Sequence, residues 1–148
     1  MAEWGLVGLF LGAFLAGGVL FFPSEALLLT LLAAGASPLA CVGVATAGNV
    51  LGGLTLYGIG RLIARGGRLG ERLAARYAQD PDALERTRAR LDRWGPLALV
   101  LSWLPVVGDV LPLSAGLARL PLLSSTAWLT VGKGLRYLVV AGVVRAAL

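Results

Sequence analysis

Two acids stand where an apolar chain should carry none. Glu25 follows Pro23 in "FFPSE", inside a run that is apolar from Trp4 to about Pro38. Asp109 lies between Pro105 and Pro112 in "WLPVVGDVLP", inside a second apolar run. An ionised carboxylate in hydrocarbon is costly even after snorkelling and bilayer thinning, so something must hold each acid in place. Two chemistries could do so. In one, each acid caps the helix arm that follows it and accepts backbone N–H groups. In the other, the two acids meet in a polar cavity near the membrane midplane and carry protons. Spacing alone leaves both open.

The second half also carries cations close to its acid. Lys133 is the chain's only lysine, beside twelve arginines, and Arg119 and Arg136 flank it. A cation in mid-span needs a partner, and Glu25 or Asp109 is available. The pairing is either a structural link between the two halves or part of a site. In a site, lysine and arginine would hold an anionic phosphate headgroup. On a helical wheel Thr126, Thr130, Lys133 and Tyr137 share a face, with Arg136 at its edge. Asn49 shares a face with Gly53 and Gly60 in an earlier span, and is either an interhelical hydrogen bonder or a site residue. The chain has no histidine, which removes histidine metal ligands and any Ser/His or Cys/His nucleophile pair. It has no P-loop, GxSxG motif or metal-ligand cluster either. Neither an enzyme, nor a metal, nor a cofactor is expected.

Composition says what must position these residues. Of 148 residues 57% are hydrophobic and 14% charged, and the mean hydropathy is +0.82. A soluble domain carries about 25% charged residues. This is the composition of an integral membrane protein, read as a single membrane domain over 1–148. Twenty-one glycines and seven prolines point to close-packed or broken helices. Gly48 and Gly52, like Gly8 and Gly12, form GxxxG pairs. Cys41 is alone and reads as a small core residue. The start, "MAEWGL", is acidic, so a cleaved leader is not expected.

Four apolar regions follow one another at 4–35, 38–64, 95–118 and 121–147. The second and fourth are long enough to span. The first is split at Pro23. The third is split by Pro105, Gly108 and Pro112 into arms of about ten residues, roughly 15 Å each. Arms that short fit re-entrant hairpins. Each half then reads as hairpin, carboxylate, small-residue patch ("AAGASP", "SAGLARLP"), proline and span. Two such repeats with one span each must insert in opposite senses, as in secondary transporters. Repeat 1 covers about 4–64 and repeat 2 about 94–147, with a linker over about 65–93.

Nine of the thirteen basic residues fall between Arg61 and Arg93. They flank apolar spans with few aromatics interleaved, so they mark a cytoplasmic loop rather than a nucleic-acid surface. Both chain ends are then expected outside. Arg61, Arg65, Arg68, Arg72 and Arg76 follow helical spacing, interrupted by Gly66-Gly67. Asp80-Pro81 predicts the cap of a helix running to Trp94, with Asp82 and Arg86 paired along it. The segment is either a solvated linker or an interfacial one with arginines on anionic headgroups. Trp4 and Trp94 sit where interfacial anchors belong.

"FFPSEALLL", "AGNVLGGLTLYGIGR", "WGPLALVLSWLPVVGDVLPLSAGLARL" and "GKGLRY", in that order, resemble the DedA superfamily of VTT-type membrane proteins, and its short YqaA-like branch. The resemblance covers nearly the whole chain apart from 65–92. It implies a multi-pass bacterial inner-membrane protein whose wider relatives move phospholipids or undecaprenyl phosphate, some of them tied to proton-motive force. The acid after the first proline is a family feature that Glu25 matches. A better-studied branch carries two arginines in its second hairpin. Ser102 and Gly108 stand there instead, so that branch's phosphate role does not transfer, and Asp109 is this branch's own feature.

The expected fold is all-α, with two inverted repeats, each a re-entrant hairpin followed by a transmembrane helix. The expected function is movement of a phosphate-bearing lipid, with proton linkage as an option. A small-solute or ion transporter and a non-transporting scaffold are the alternatives. Membrane lipids with anionic headgroups are the expected partners, and a homodimer is left open.

Overall fold

The computed structural model describes residues 2–18, 22–104 and 107–147. Seven α-helices and one 3₁₀ segment account for nearly all of them. They are α1 (Ala2–Gly17), α2 (Ser24–Ala33), α3 (Pro38–Arg65), α4 (Gly67–Tyr77), α5 (Pro81–Trp94), the 3₁₀ segment (Gly95–Trp103), α6 (Val107–Leu117) and α7 (Leu122–Ala147). The protein is all-α, with two long apolar helices, α3 of 28 residues and α7 of 26. At 1.5 Å per residue these reach about 42 and 39 Å, more than a hydrocarbon core of about 30 Å. α2 and α6, of 10 and 11 residues, reach only about half that core.

Local chemistry sets most boundaries. Pro38 and Pro81 occupy the first helical position of α3 and α5, where a missing N–H costs nothing. Asp80 caps α5, accepting from the Ala83 N–H at 3.0 Å. Gly66 and Gly67 have φ of 75° and 79° and separate α3 from α4. The arginine series therefore does not share one helical face. Arg61 and Arg65 close α3, and Arg68 restarts on α4. Asp82 and Arg86 are not within ion-pair distance of each other, since the two ion pairs among the described residues lie elsewhere.

α2 and α6 end in the same way. Gly35 has φ 83°, and Ala36 N–H reaches back to Leu31 O at 3.0 Å. Arg119 has φ 55°, and Leu120 N–H reaches back to Ala115 O at 3.1 Å. Each is a left-handed C-terminal cap with a bond spanning five residues. The second uses an arginine where the first uses glycine. Arg119 is the only non-glycine residue with positive φ among those described. Its guanidinium then donates to Ala64 O at 2.8 Å, at the carbonyl end of α3.

Neighbouring contacts fix the directions of the helices. α1 and α2 are antiparallel: Gly5 lies under Leu31, and Gly12 under Leu27 and Phe22. α1 runs parallel to α3, with Gly48 against Phe10 and Gly52 against Phe14 and Gly18. α6 also runs parallel to α3, with Gly53 beside Pro112 and Gly60 against Leu113 and Gly116. α3 and α7 are antiparallel. Cys41, Ala45, Tyr137 and Ala141 share one buried cluster, and further along Gly53 meets Leu129 and Lys133. Gly17 and Gly18, at the end of α1, thus reach α3 near its middle, at Asn49 and Gly52, and Pro112 in mid-α6 lies beside Gly53.

The third apolar region differs from expectation in two ways. Its first arm is a nine-residue 3₁₀ segment rather than an α-helix. Pro112 is not a break but lies buried inside α6. It sits at the middle of the helix, where its missing N–H removes one helical hydrogen bond without ending the helix. Gly108 does lie at the turn, against the carbonyl of Ser102. Pro105 falls outside the described residues.

The surface matches a lipid solvent. Large apolar side chains such as Leu39, Leu51, Leu123, Leu138 and Val143 are exposed along both long helices. The outward threonines hide their hydroxyls on their own helices: Thr30, Thr55, Thr126 and Thr130 each donate to the carbonyl four residues earlier. Thr130 therefore faces outward and does not join Lys133 on the buried face.

Close backbone approach makes a direct test possible. A β-carbon at Gly116 would fall on the Tyr57 carbonyl, and one at Gly60 on the Leu113 carbonyl. Gly116→Val or Gly60→Val should therefore destabilise by about 1–3 kcal/mol, the usual range for overpacking. Gly58 has open space around it in the same helix. Gly58→Ala should be neutral or stabilising by up to about 1 kcal/mol. Thermal unfolding in detergent, followed by tryptophan fluorescence, measures all three.

Candidate functional site

Charge enters the membrane region on α7. Lys133 and Arg136 are three residues apart, one helical turn, near the middle of that helix. Each meets an acid from a different short helix. Arg136 donates a hydrogen bond to Glu25 of α2, with both side chains partly buried. Lys133 lies 4.0 Å from Asp109 of α6. The two acids occupy equivalent places, each in the first turn of its helix. Glu25 is not a cap, because it follows Ser24 inside α2 and no side chain caps that helix. Asp109 likewise lies within α6 rather than before it.

The two pairs differ in quality. The Lys133 side chain is 1% exposed, against 32% for Asp109. At 4.0 Å their contact is ionic without a hydrogen bond, and the Lys133 ammonium has no hydrogen-bond partner. The stem of Lys133 fills the space over Gly53, its Cε 3.3 Å from where a β-carbon would stand. A glycine in α3 is what lets the lysine lie there.

Next to the charges sits a neutral network. Asn49 Nδ2 donates to the Tyr137 hydroxyl at 2.8 Å. That hydroxyl is also 2.8 Å from Ser24 Oγ. Having accepted from Asn49, it is free to donate to Ser24. All three residues are buried, and Asn49 Oδ1 is left without a partner. Ser102 is fully buried against Gly132, its hydroxyl also unpartnered. Buried polar groups without partners cost about 1–3 kcal/mol each, so their grouping here is not neutral packing.

Of the residues singled out in the sequence, Glu25, Asp109, Lys133, Arg136 and Asn49 converge at the crossing of α2, α3, α6 and α7. Arg119 does not join them, because its left-handed turn aims it at the carbonyl end of α3. Pro23 and Gly108 stand at the two turns, and Pro112 stands inside α6. Tyr137 and Ser24 were not singled out as site residues. The available signal was adjacency, Ser24 beside Glu25 and Tyr137 beside Arg136. A cavity of about 930 Å³ lies elsewhere, between α5 and the ends of α3 and α6, and includes Leu84, Arg88 and Arg119. None of the paired charges lines it. The grouped, unpartnered polar atoms are the better guide to chemistry than this open seam beside the linker. Among the described residues no group of three His, Cys, Asp or Glu side chains could hold a metal ion.

The family model for the VTT domain matches residues 22–146. The chain belongs to the VTT domain family. Relatives named inner membrane protein YqaA, from Escherichia coli (strain K12) and Shigella flexneri, are each 39% identical over 137 residues, 92% of this chain and 88% of theirs. An uncharacterized protein of Haemophilus influenzae is 42% identical over 101 residues, 67% of this chain and 56% of its own length. No solved structure matches the chain. This VTT-domain chain is thus a DedA-superfamily member of the YqaA-like branch, and a multi-pass protein of the inner membrane.

The inequality of the two pairs gives an asymmetric expectation. Asp109→Asn strips the counter-charge from a fully buried ammonium and should cost up to about 3 kcal/mol, the low end for a broken buried pair. Lys133→Met instead removes the desolvated charge and leaves an acid that is one-third exposed. It should cost no more than about 1 kcal/mol. Thermal unfolding of both variants and of the double variant measures the coupling. Equal losses from the two single variants would contradict the pairing described.

Proposed function

We propose that the protein moves a phosphate-bearing lipid across the inner membrane, using Lys133 and Arg136 to receive the headgroup. The observation that carries this reading is the pair of cations one turn apart at mid-span, each countered by an acid from a different short helix. Lysine and arginine together suit a phosphate with several acceptor oxygens. The acids are 26% and 32% exposed, so the pairs are reachable from the protein surface rather than sealed in a chamber. That favours a lipid, whose acyl chains can stay in the bilayer, over a small solute. The unpartnered Lys133 ammonium and Asn49 carbonyl oxygen weigh against a scaffold, whose core would be fully paired.

Two hairpins, α1–α2 and the 3₁₀ segment with α6, are read as re-entrant. Support comes from short arms and from the end of α1, which reaches mid-length of α3. The antiparallel α3 and α7 and the matched caps at Gly35 and Arg119 support an inverted repeat. Acids in the first turn of each returning arm support reading the headgroup site where the two repeats would meet. Asp109 is the candidate for proton linkage, since it is held only by a 4.0 Å ionic contact.

The test is translocation of labelled lipid in reconstituted vesicles. Phosphatidylglycerol, phosphatidylethanolamine and undecaprenyl phosphate are compared with diacylglycerol, which has no phosphate. Lys133→Met and Arg136→Met should each reduce phosphate-lipid movement at least about tenfold, the worth of one charge-assisted hydrogen bond. Asp109→Asn should remove any response to an imposed pH gradient. Wild-type rates from Lys133→Met, or no acceleration of phosphate-lipid movement over protein-free vesicles, would overturn the proposal.

Orientation follows from the nine arginines between Arg61 and Arg93, which belong on the cytoplasmic side. Leu69 is exposed beside Arg68 and Arg72 on α4, which fits a helix lying on anionic headgroups. Ala75 is exposed on α4 and tolerates a label without strain. Ala75→Cys in a Cys41→Ala background should resist a membrane-impermeant thiol reagent added to intact cells and react in inverted vesicles. Labelling from outside would reverse the assigned topology.

A further inference from the structure

We infer that α2 is a lateral gate, and that Tyr137 is the positioning residue that latches it shut against α7. The inference rests on the headgroup reading for what passes the gate, but not for the gate itself. α2 is the weakest-held helix of the membrane region. It has 10 residues, and only Ser24 and Leu28 of it are fully buried. Leu29 and Thr30 face outward, and no side chain caps its N-terminus. Helices of this length do not hold themselves and depend on packing.

What fixes its first turn is a double clasp. Two consecutive residues of α2 meet two consecutive residues of α7: Ser24 with Tyr137, and Glu25 with Arg136. Tyr137 is 0% exposed, and its hydroxyl is held in turn by Asn49 of α3 at 2.8 Å. One phenol hydroxyl therefore joins three helices. It sets where Ser24 stands, and so where the neighbouring Glu25 meets Arg136. Nothing comparable holds α6. That helix packs backbone to backbone on α3 through Gly60 and Gly116, and its charge contact with Lys133 is not hydrogen-bonded. α6 is thus fixed by backbone packing, whereas α2 is held by apolar side chains along its length and by polar ones at its first turn. Packing is always on. Polar contacts can be exchanged for those of an arriving headgroup.

Opening the clasp separates the first turn of α2 from α7 and uncovers Arg136 on the lipid side. A phosphate then replaces Glu25 on the guanidinium. The Asn49 amide keeps the Tyr137 ring in place while the gate is open, so the latch can re-form.

The experiment uses the full chain in vesicles of phosphatidylethanolamine and phosphatidylglycerol, with Cys41→Ala. Nitroxide labels at Leu29 on α2 and Leu138 on α7 report the gate. A second pair, at Leu51 on α3 and Leu135 on α7, reports the frame. All four positions are exposed. Pulsed dipolar spectroscopy should give a dominant short distance for the gate pair in the parent protein. Ser24→Ala removes the clasp hydrogen bond alone, and Tyr137→Phe removes it together with the bond from Asn49. Each should raise the separated population about two- to tenfold, the usual worth of one hydrogen bond. The frame pair should not change. Thr130→Ala, which loses only a bond to its own helix, should leave both pairs unchanged. If Tyr137→Phe fails to fold, Ser24→Ala decides alone. An unaltered gate distance in the folded variants would overturn the inference. So would equal changes in both pairs, which mean general loosening. The distances need no lipid movement. A gate that opens as described in a protein that moves no lipid would therefore refute the headgroup reading and leave the gate.

Discussion

A charge surrounded by hydrocarbon must find its counter-charge inside the protein. That constraint organises this molecule. α7 brings Lys133 and Arg136 into the middle of the membrane region, and no acid on α7 can answer them. The answer comes from two other helices, through Glu25 and Asp109. Both short helices must therefore start at the depth of the cations. Their turns, their length and their place beside α3 follow from that requirement.

Glycine makes the arrangement possible. A pair of long helices at ordinary separation would leave no room for two hairpins to reach the same level. Here Gly48 and Gly52 admit α1 to backbone contact, and Gly60 and Gly116 do so for α6. Gly53 opens the groove that the Lys133 stem occupies. Close approach is the strongest attraction between helices in lipid, where apolar contact alone gains little over lipid tails. The same glycines that hold the hairpins thus let a long cationic side chain lie flat.

Much of this could be read from the residues. Proline placement and apolar length gave the two long helices and the short arms. Charge scarcity picked out Glu25, Asp109, Lys133 and Arg136. Asp80-Pro81 marked α5 because a cap is a local device. What escaped was non-local. Arg119 looked like a third cation of the site, but a left-handed turn, invisible in residue type, sends it to Ala64. Pro112 looked like a break, yet α6 runs through it, with one helical hydrogen bond missing. Which acid serves which cation depends on how α2 and α6 sit around α7, and no spacing encodes that. Ser24 and Tyr137 are common residue types, and only their meeting makes them informative.

The partners of the first hairpin are far apart along the chain. Glu25 waits for Arg136, 111 residues later, and Ser24 for Tyr137, 113 later. Domains are generally finished from the N-terminus onward as the ribosome delivers them. This chain reverses that order for its first element. While the ribosome is still making the linker, α1 can already dock on α3, but the acid at the start of α2 has no cation to meet. It must stay near headgroups and water, or neutralise, until the last helix arrives. The charge pairing of the first hairpin is therefore complete only when α7 inserts. A nascent chain truncated before α7 would carry an unanswered carboxylate, a mark of unfinished assembly built into the order of the residues.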